Sequence, residues 1–219
     1  MDFQIRQGNK DDAGFLARIM LLAGRSHLER GGWDILLDAS ERDSLEFLQR
    51  LALTDSRSFS HYSRFILAEI DGCPVSALCG YDPADAGISE FQQAAQEVAD
   101  GLGWSDNEIE KFWQRFGPYV TCMFEEPAGT WVIENVATLP RFRQRGLMNS
   151  LLQRILEMGH ERGYKAAQIS MDIGNLPAQH SYEKAGFNVV DERRHADYEG
   201  VFGIPGRLLL TYNLAHYRK

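Results

Sequence analysis

The sequence has no apolar run approaching the roughly 18 residues that a membrane-crossing helix needs. Its start, Met1-Asp2-Phe3-Gln4-Ile5-Arg6, lacks the basic and apolar stretches of a secretory leader. Cysteine is scarce: Cys73, Cys79 and Cys122 are widely spaced, odd in number and in no metal-like cluster. The histidines show no ligand spacing, so no metal is expected. A Gly-x-Ser-x-Gly elbow is missing, which leaves Ser/His/Asp nucleophilic catalysis unsupported. Positive charge is also short, with 23 Lys and Arg against 31 Asp and Glu and a net charge of −8. That balance argues against broad nucleic-acid binding. These absences together point to a cytoplasmic protein with reduced thiols and no membrane or nucleic-acid partner. Linkers, repeats and low-complexity segments are lacking too, so residues 1–219 are expected to form one domain.

Among what is present, a 44% apolar fraction is ample for a core. Phe3 to Arg6 reads as a strand. A helix follows, capped by Asn9 or Asp11, with Leu16, Ile19, Met20 and Ala23 at helical spacing. Gly24 and Gly31-Gly32 read as interruptions. Ser40 with Asp43 resembles a capping box opening a second helix to Leu53. Asp71-Gly72 between Phe65–Ala68 and Val75–Leu78 predicts a β-hairpin.

The excess negative charge is local. Residues 82–130 hold ten acidic side chains and two basic ones, Lys111 and Arg115. Two helices are expected in this stretch. One carries Ile88, Phe91, Ala95 and Val98 and stops near Gly101 and Gly103. The other opens on the capping box Ser105 to Glu108, carries Ile109, Phe112, Trp113 and Phe116, and ends at Pro118. They read as an acidic helical insertion at about 82–128, between the third and fourth strands. The field of such a segment would favour a cationic partner; a solvated acidic surface is the other reading.

Strand and helix then alternate. Trp131 to Leu139 is a strand, and Leu147, Leu151, Ile155 and Met158 mark a helix face. Ala166 to Met171 is the next strand, Ala178 to Lys184 a short helix, and Phe187 to Val190 and Leu208 to Leu214 close the sheet. The fold class expected is α/β, a mixed sheet covered by helices.

Between strand and helix lies Pro140-Arg141-Phe142-Arg143-Gln144-Arg145-Gly146-Leu147-Met148. Free N–H groups at a helix start, with the macrodipole and three arginines, make a place for a phosphate or diphosphate. Gly146 lets the backbone approach such an anion closely. Taken alone, the segment reads equally as a basic loop with a helix cap. Further on stands Asn175-Leu176-Pro177-Ala178, followed by Tyr182 and Gly186-Phe187.

Arg143-Gln144-Arg145-Gly146-Leu147-Met148 resembles the Gln/Arg-x-x-Gly-x-Gly/Ala motif of the GNAT acyltransferases, with Met148 where that family has Gly or Ala. The Asn175 to Phe187 segment resembles the family's Asn-x-x-Ala-x-x-x-Tyr-x-x-x-Gly-Phe. The resemblance covers roughly Trp131 to Val190. The resemblance implies a GNAT-type fold that uses acetyl-CoA as cosubstrate. It implies that Arg143, Gln144, Arg145, Gly146, Leu147, Met148 and Asn149 receive the diphosphate. Val136, Ala137 and Thr138 would line the pantetheine and acetyl carbonyl on a splayed strand, and Asn175 would contact the pantetheine arm or cap its helix.

Acetyl transfer needs a neutral amine, a stabilised oxyanion and a proton for the departing thiolate. The family's tyrosine falls on Tyr182, near the cofactor sulfur as general acid. A core aromatic with a tied hydroxyl is its other reading. Glu134 is the candidate general base, with glutamates of the acidic segment as rivals. Period-two alternation places Glu134 on one face with Val132 and Val136. The expected activity is direct transfer from acetyl-CoA to a primary amine, a small cationic molecule being favoured. A non-catalytic acyl-CoA-binding module and a site for another phosphorylated ligand, such as a nucleotide, are the alternatives.

Overall fold

The computed structural model describes residues 2–217, residue 216 by its backbone alone. The chain opens with β1 (Gln4–Gln7) and α1 (Ala13–Arg25), where Leu16, Ile19 and Met20 are fully buried as their spacing predicts. The glycine pair that reads as an interruption instead starts a helix, α2 (Gly32–Leu37). The carboxylate of Asp34 accepts from the Gly31 N–H at 3.0 Å and pairs with Arg25 at 2.8 Å, which ties α2 to the end of α1. Next comes α3 (Glu41–Leu51), with Ser40 capping it as expected.

The hairpin β2 (Phe65–Ile70) and β3 (Cys73–Tyr81) turns at Asp71-Gly72, both with positive φ, as a right-twisted two-residue turn requires. Three helices follow: α4 (Pro83–Ala86), α5 (Ile88–Leu102) and α6 (Asp106–Val120). Pro118 does not end α6. It lies in the last turn, where its missing N–H deprives a single carbonyl, and the helix runs on to Val120.

The remaining chain alternates β4 (Thr130–Thr138), α7 (Leu147–Glu161), β5 (Ala166–Asp172), α8 (Leu176–Lys184), β6 (Asn188–Arg194), α9 (Ala196–Phe202) and β7 (Gly206–Asn213). Helix α9 is an addition to the expected pattern, opened by the His195 ring accepting from the Asp197 N–H at 3.2 Å. Among the described residues seven strands form one sheet in the order β1-β2-β3-β4-β5-β7-β6. Only β4 and β5 are parallel, joined by the α7 crossover; the other pairs are antiparallel. Mixed sheet and flanking helices agree with the α/β class expected.

Each face has its own core. Helices α1, α2, α3, α5 and α6 pack over one face with Leu67, Ala77, Cys79 and Val132. Helix α7 covers the other through Leu151, Leu152 and Ile155, which meet Ile133, Ile169, Leu208 and Leu210. No helix among the described residues is long and apolar enough to cross a membrane.

One glycine is required where β6 and β7 meet. Gly206 has φ +154, and a Cβ on it would stand 1.9 Å from the Arg193 carbonyl oxygen. Gly206→Ala is therefore expected to lower unfolding stability by about 2–3 kcal/mol, read as an earlier urea midpoint.

Candidate active site

The site begins where two parallel strands part. Strands β4 and β5 pair from Thr130↔Ala166 to Ile133↔Ile169 and no further. Beyond that, β5 stays in register with β7 to Asp172, while β4 remains with β3 to Thr138. The two diverge, and residues 134–138 present an edge without a ladder partner on the β5 side.

Strand β4 also carries a bulge. Its register against β3 runs from Cys79↔Glu134 to Ala77↔Ala137, so Asn135 and Val136 together oppose Leu78. Asn135 takes φ +55 and donates its Nδ2 to the Cys79 sulfur at 3.6 Å. The extra residue overturns the simple alternation expected from sequence. Val132 packs into the α1-side core, whereas Val136 packs with the α7-side core. Glu134 therefore faces one side of the sheet and Val136 the other.

Past the split, the chain turns through left-handed residues at Gln144 and Gly146, with φ +60 and +79. A Cβ on Gly146 would meet nothing within 4 Å, so it is the backbone conformation that calls for glycine there. Helix α7 then starts with no side-chain cap. Ser150 N–H reaches the Gly146 carbonyl at 3.2 Å, while the N–H groups of Leu147, Met148 and Asn149 precede the first helical acceptor. Leu147 anchors this turn in the core, and Met148 packs against the same cluster. Arg143 donates to the Thr138 carbonyl at 3.2 Å and Arg145 to that of Arg141 at 3.1 Å, which braces the basic turn.

Divergent strands and open helix end share one cleft of about 860 Å³. Glu134, Val136 to Thr138, the run from Arg143 to Asn149, Asn175 and Tyr182 all line it. Candidates from two distant segments are thus brought to one wall. Asn175 caps α8 by accepting from the Ala178 N–H at 3.3 Å, and donates to Ser26 Oγ at 2.8 Å.

Glu134 is half-buried, with Ser170 Oγ donating to its Oε1 at 3.4 Å. Burial pushes its carboxyl from the usual 4.5 up to about 7, with Arg207 pulling the other way and Glu126 and Asp172 adding to the rise. Tyr182 is buried with its ring beside Phe187, and its hydroxyl makes no hydrogen bond to another described residue. Burial, helped by Glu134, raises the phenol well above its ordinary range, so it stays protonated at neutral pH. Cys79 sits opposite Glu134 but does not line the cleft; burial pushes its thiol up, and its Sγ donates to the Glu134 carbonyl at 3.3 Å. It is not a poised nucleophile.

Around Glu134, sequence reasoning had Glu126 only as one of the acidic-segment glutamates and missed the other groups. Tyr81 donates to Glu126 Oε1 at 2.8 Å, and burial raises the Glu126 carboxyl. Tyr198 donates to Asp172 Oδ1 at 2.9 Å. Arg207 lies buried with its guanidinium 4.9 Å from the Tyr119 ring centre. Its one signal in sequence is a lone charge heading the run Leu208-Leu209-Leu210. Of the ten acidic residues in 82–130, Glu126 alone lines the cleft. That segment supplies mainly an aromatic wall, including Phe91, Phe116, Tyr119 and Phe124. Among the described residues no cluster of His, Cys, Asp or Glu is arranged to hold a metal.

The architecture is shared with solved proteins. An N-acetyltransferase from Staphylococcus aureus Mu50 superposes with a TM-score of 0.71 at 18% identity, over 95% of this chain and 100% of that one. Another acetyltransferase gives 0.68 at 21% identity, over 96% and 99%. A putative acetyltransferase from Salmonella typhimurium, yncA, solved with its cofactor acetyl-CoA, gives 0.54 at 13% identity, over 100% and 98%. No curated protein matches the chain. The model of the acetyltransferase (GNAT) family matches residues 33–187, well over half the sequence, and the chain accordingly belongs to the GNAT acetyltransferase family.

Proposed function

We propose that the protein transfers an acetyl group from acetyl-CoA directly to a primary amine, both held at once in the cleft. The observation that carries this reading is the meeting of three features: the open amides of α7, the unpaired edge of β4, and Glu134 at the split. The neighbour solved with acetyl-CoA supports the choice of donor.

The chemistry follows from those positions. The N–H groups of Leu147, Met148 and Asn149 and the N-terminal dipole of α7 receive the diphosphate, with Arg143, Gln144, Arg145 and Gly146 shaping the turn. Met148 does not obstruct this, because its side chain packs against the core. Backbone groups of Val136, Ala137 and Thr138 pair with the pantetheine and polarise the thioester carbonyl. Asn175 contacts the same arm while capping α8. A carboxylate near 7 suits Glu134 to take a proton from the attacking amine. The nitrogen–carbon bond forms, the carbon–sulfur bond breaks, and the Tyr182 phenol supplies the proton that leaves with the thiol. No acyl-enzyme is needed, since proximity and orientation do most of the work. A protein that only binds acyl-CoA would instead show affinity without release of free thiol in the presence of amines.

Three outcomes test this reading. Tyr182→Phe should lower kcat by about 100-fold while leaving acetyl-CoA affinity nearly unchanged; undiminished turnover removes Tyr182 as the acid. Gly146→Asp should abolish acetyl-CoA binding by calorimetry, because it sets a carboxylate beside the diphosphate in an unfavourable backbone conformation.

Glu134→Gln should erase the rise in kcat/KM that the wild type shows as pH climbs through about 7. The same shift has a signature in stability. Between 4.5 and about 7 the folded protein holds a proton that the unfolded chain has released, so stability falls as pH rises through that window. Thermal unfolding of Glu134→Gln should lack that slope.

A further inference from the structure

Arg207 is the second residue of β7, paired with Asp172 on β5 and Arg193 on β6. Its neighbours Leu208 and Leu210 pack in the α7-side core, so alternation turns Arg207 to the opposite face, where it lines the cleft. The residue is 7% exposed. Its Nε is buried with no hydrogen-bond partner among the described residues. Asp172 Oδ1 stands 3.8 Å from that nitrogen, outside hydrogen-bond reach, and already accepts from Tyr198.

A buried guanidinium is costly unless its charge is paired and its donors are met. Asp172 and Glu134 balance the charge of Arg207 while its Nε is left unmet. Five N–H groups in a planar fork match a carboxylate or a phosphate two at a time, and of the two a carboxylate is the group that an amine-bearing acceptor commonly carries. Glu126, Glu134 and Asp172 line the same cleft and set carboxyl groups where an amine can pair. Glu134 and Arg207 are near enough to shift each other's ionisation.

We propose that Arg207 binds the carboxylate of the acceptor, which is a free α-amino acid with an apolar or aromatic side chain. This rests on the acetyl-transfer reading above. In such a zwitterion one carbon separates amine from carboxylate, so the amine meets Glu134 while the carboxylate meets Arg207. The side chain then lies against Trp33, Phe91, Phe116 and Tyr119, which wall the same cleft. A polyamine would leave the fork unmet and bring a second cation to it. A peptide N-terminus has no carboxylate beside its amine.

The test is a matched substrate series. Phenylalanine, leucine and methionine are each compared with their methyl ester and with the amine lacking the carboxylate, following thiol release from acetyl-CoA. Wild-type protein should favour at least one free amino acid over both partners by about 100-fold or more in kcat/KM. Arg207→Met should collapse that ratio to near unity, and Arg207→Lys should restore part of it. A ratio unchanged in Arg207→Met overturns the proposal. So does equal or better use of the ester or simple amine by the wild type, an arm that needs no variant to fold. If only amines without a carboxylate, such as polyamines, are acetylated, Arg207 has another role and acetyl transfer stands. If acetyl-CoA is bound and no amine is acetylated, both readings fall.

Discussion

Everything in the site follows from the parting of β4 and β5 after Ile133 and Ile169. Two parallel strands in full register would spend their backbone groups on each other and close the sheet. Here each keeps its partner on the far side, β3 for one and β7 for the other, so the gap opens without loosening either half. Leu151, Leu152 and Ile155 of α7, all fully buried, hold the two halves from below. The gap is thus a stable defect, and it leaves the backbone of residues 134–138 without a ladder partner on the β5 side.

Around that gap the charges are few and mutually dependent. Glu134 owes its raised carboxyl mainly to burial, and Arg207 restrains the rise. Tyr182 keeps its proton because it is buried and because Glu134 is near. The two are buried from opposite faces, Tyr182 in the α7-side core beside Phe187 and Glu134 toward the aromatic wall supplied by α2, α5 and α6. The segment that looks like an electrostatic lure in the sequence contributes mostly that wall.

Much of this was readable from residues in order. The α7 stripe of Leu147, Leu151 and Ile155 declares a helix, and a strand before it with Gly146 between declares a tight basic turn, open in sequence to an anion site or a plain helix cap alike. The segment from Asn175 to Phe187 could be placed beside them only by its likeness to a family, since nothing local says that α8 reaches the same cleft. The bulge at Asn135 was hidden because both faces of β4 are buried, so its apolar pattern reads alike in either phase. Arg207 was hidden for a different reason. Its meaning comes from β5, α6 and α9 converging on it, and no window of sequence contains them. Pro118 and the Gly31-Gly32 pair misled through their usual local preferences, which tertiary packing and the Asp34 carboxylate overrode.

The kink at Asn135 bears on how one short strand manages two compartments. A regular ribbon would turn every second side chain, Glu134 and Val136 alike, toward the same compartment. Adding one residue reverses the parity midway. The Glu134 carboxylate then looks toward the aromatic side of the cleft while Val136 packs toward α7. A deletion that restored the even count would leave the strand intact and turn both side chains to one face.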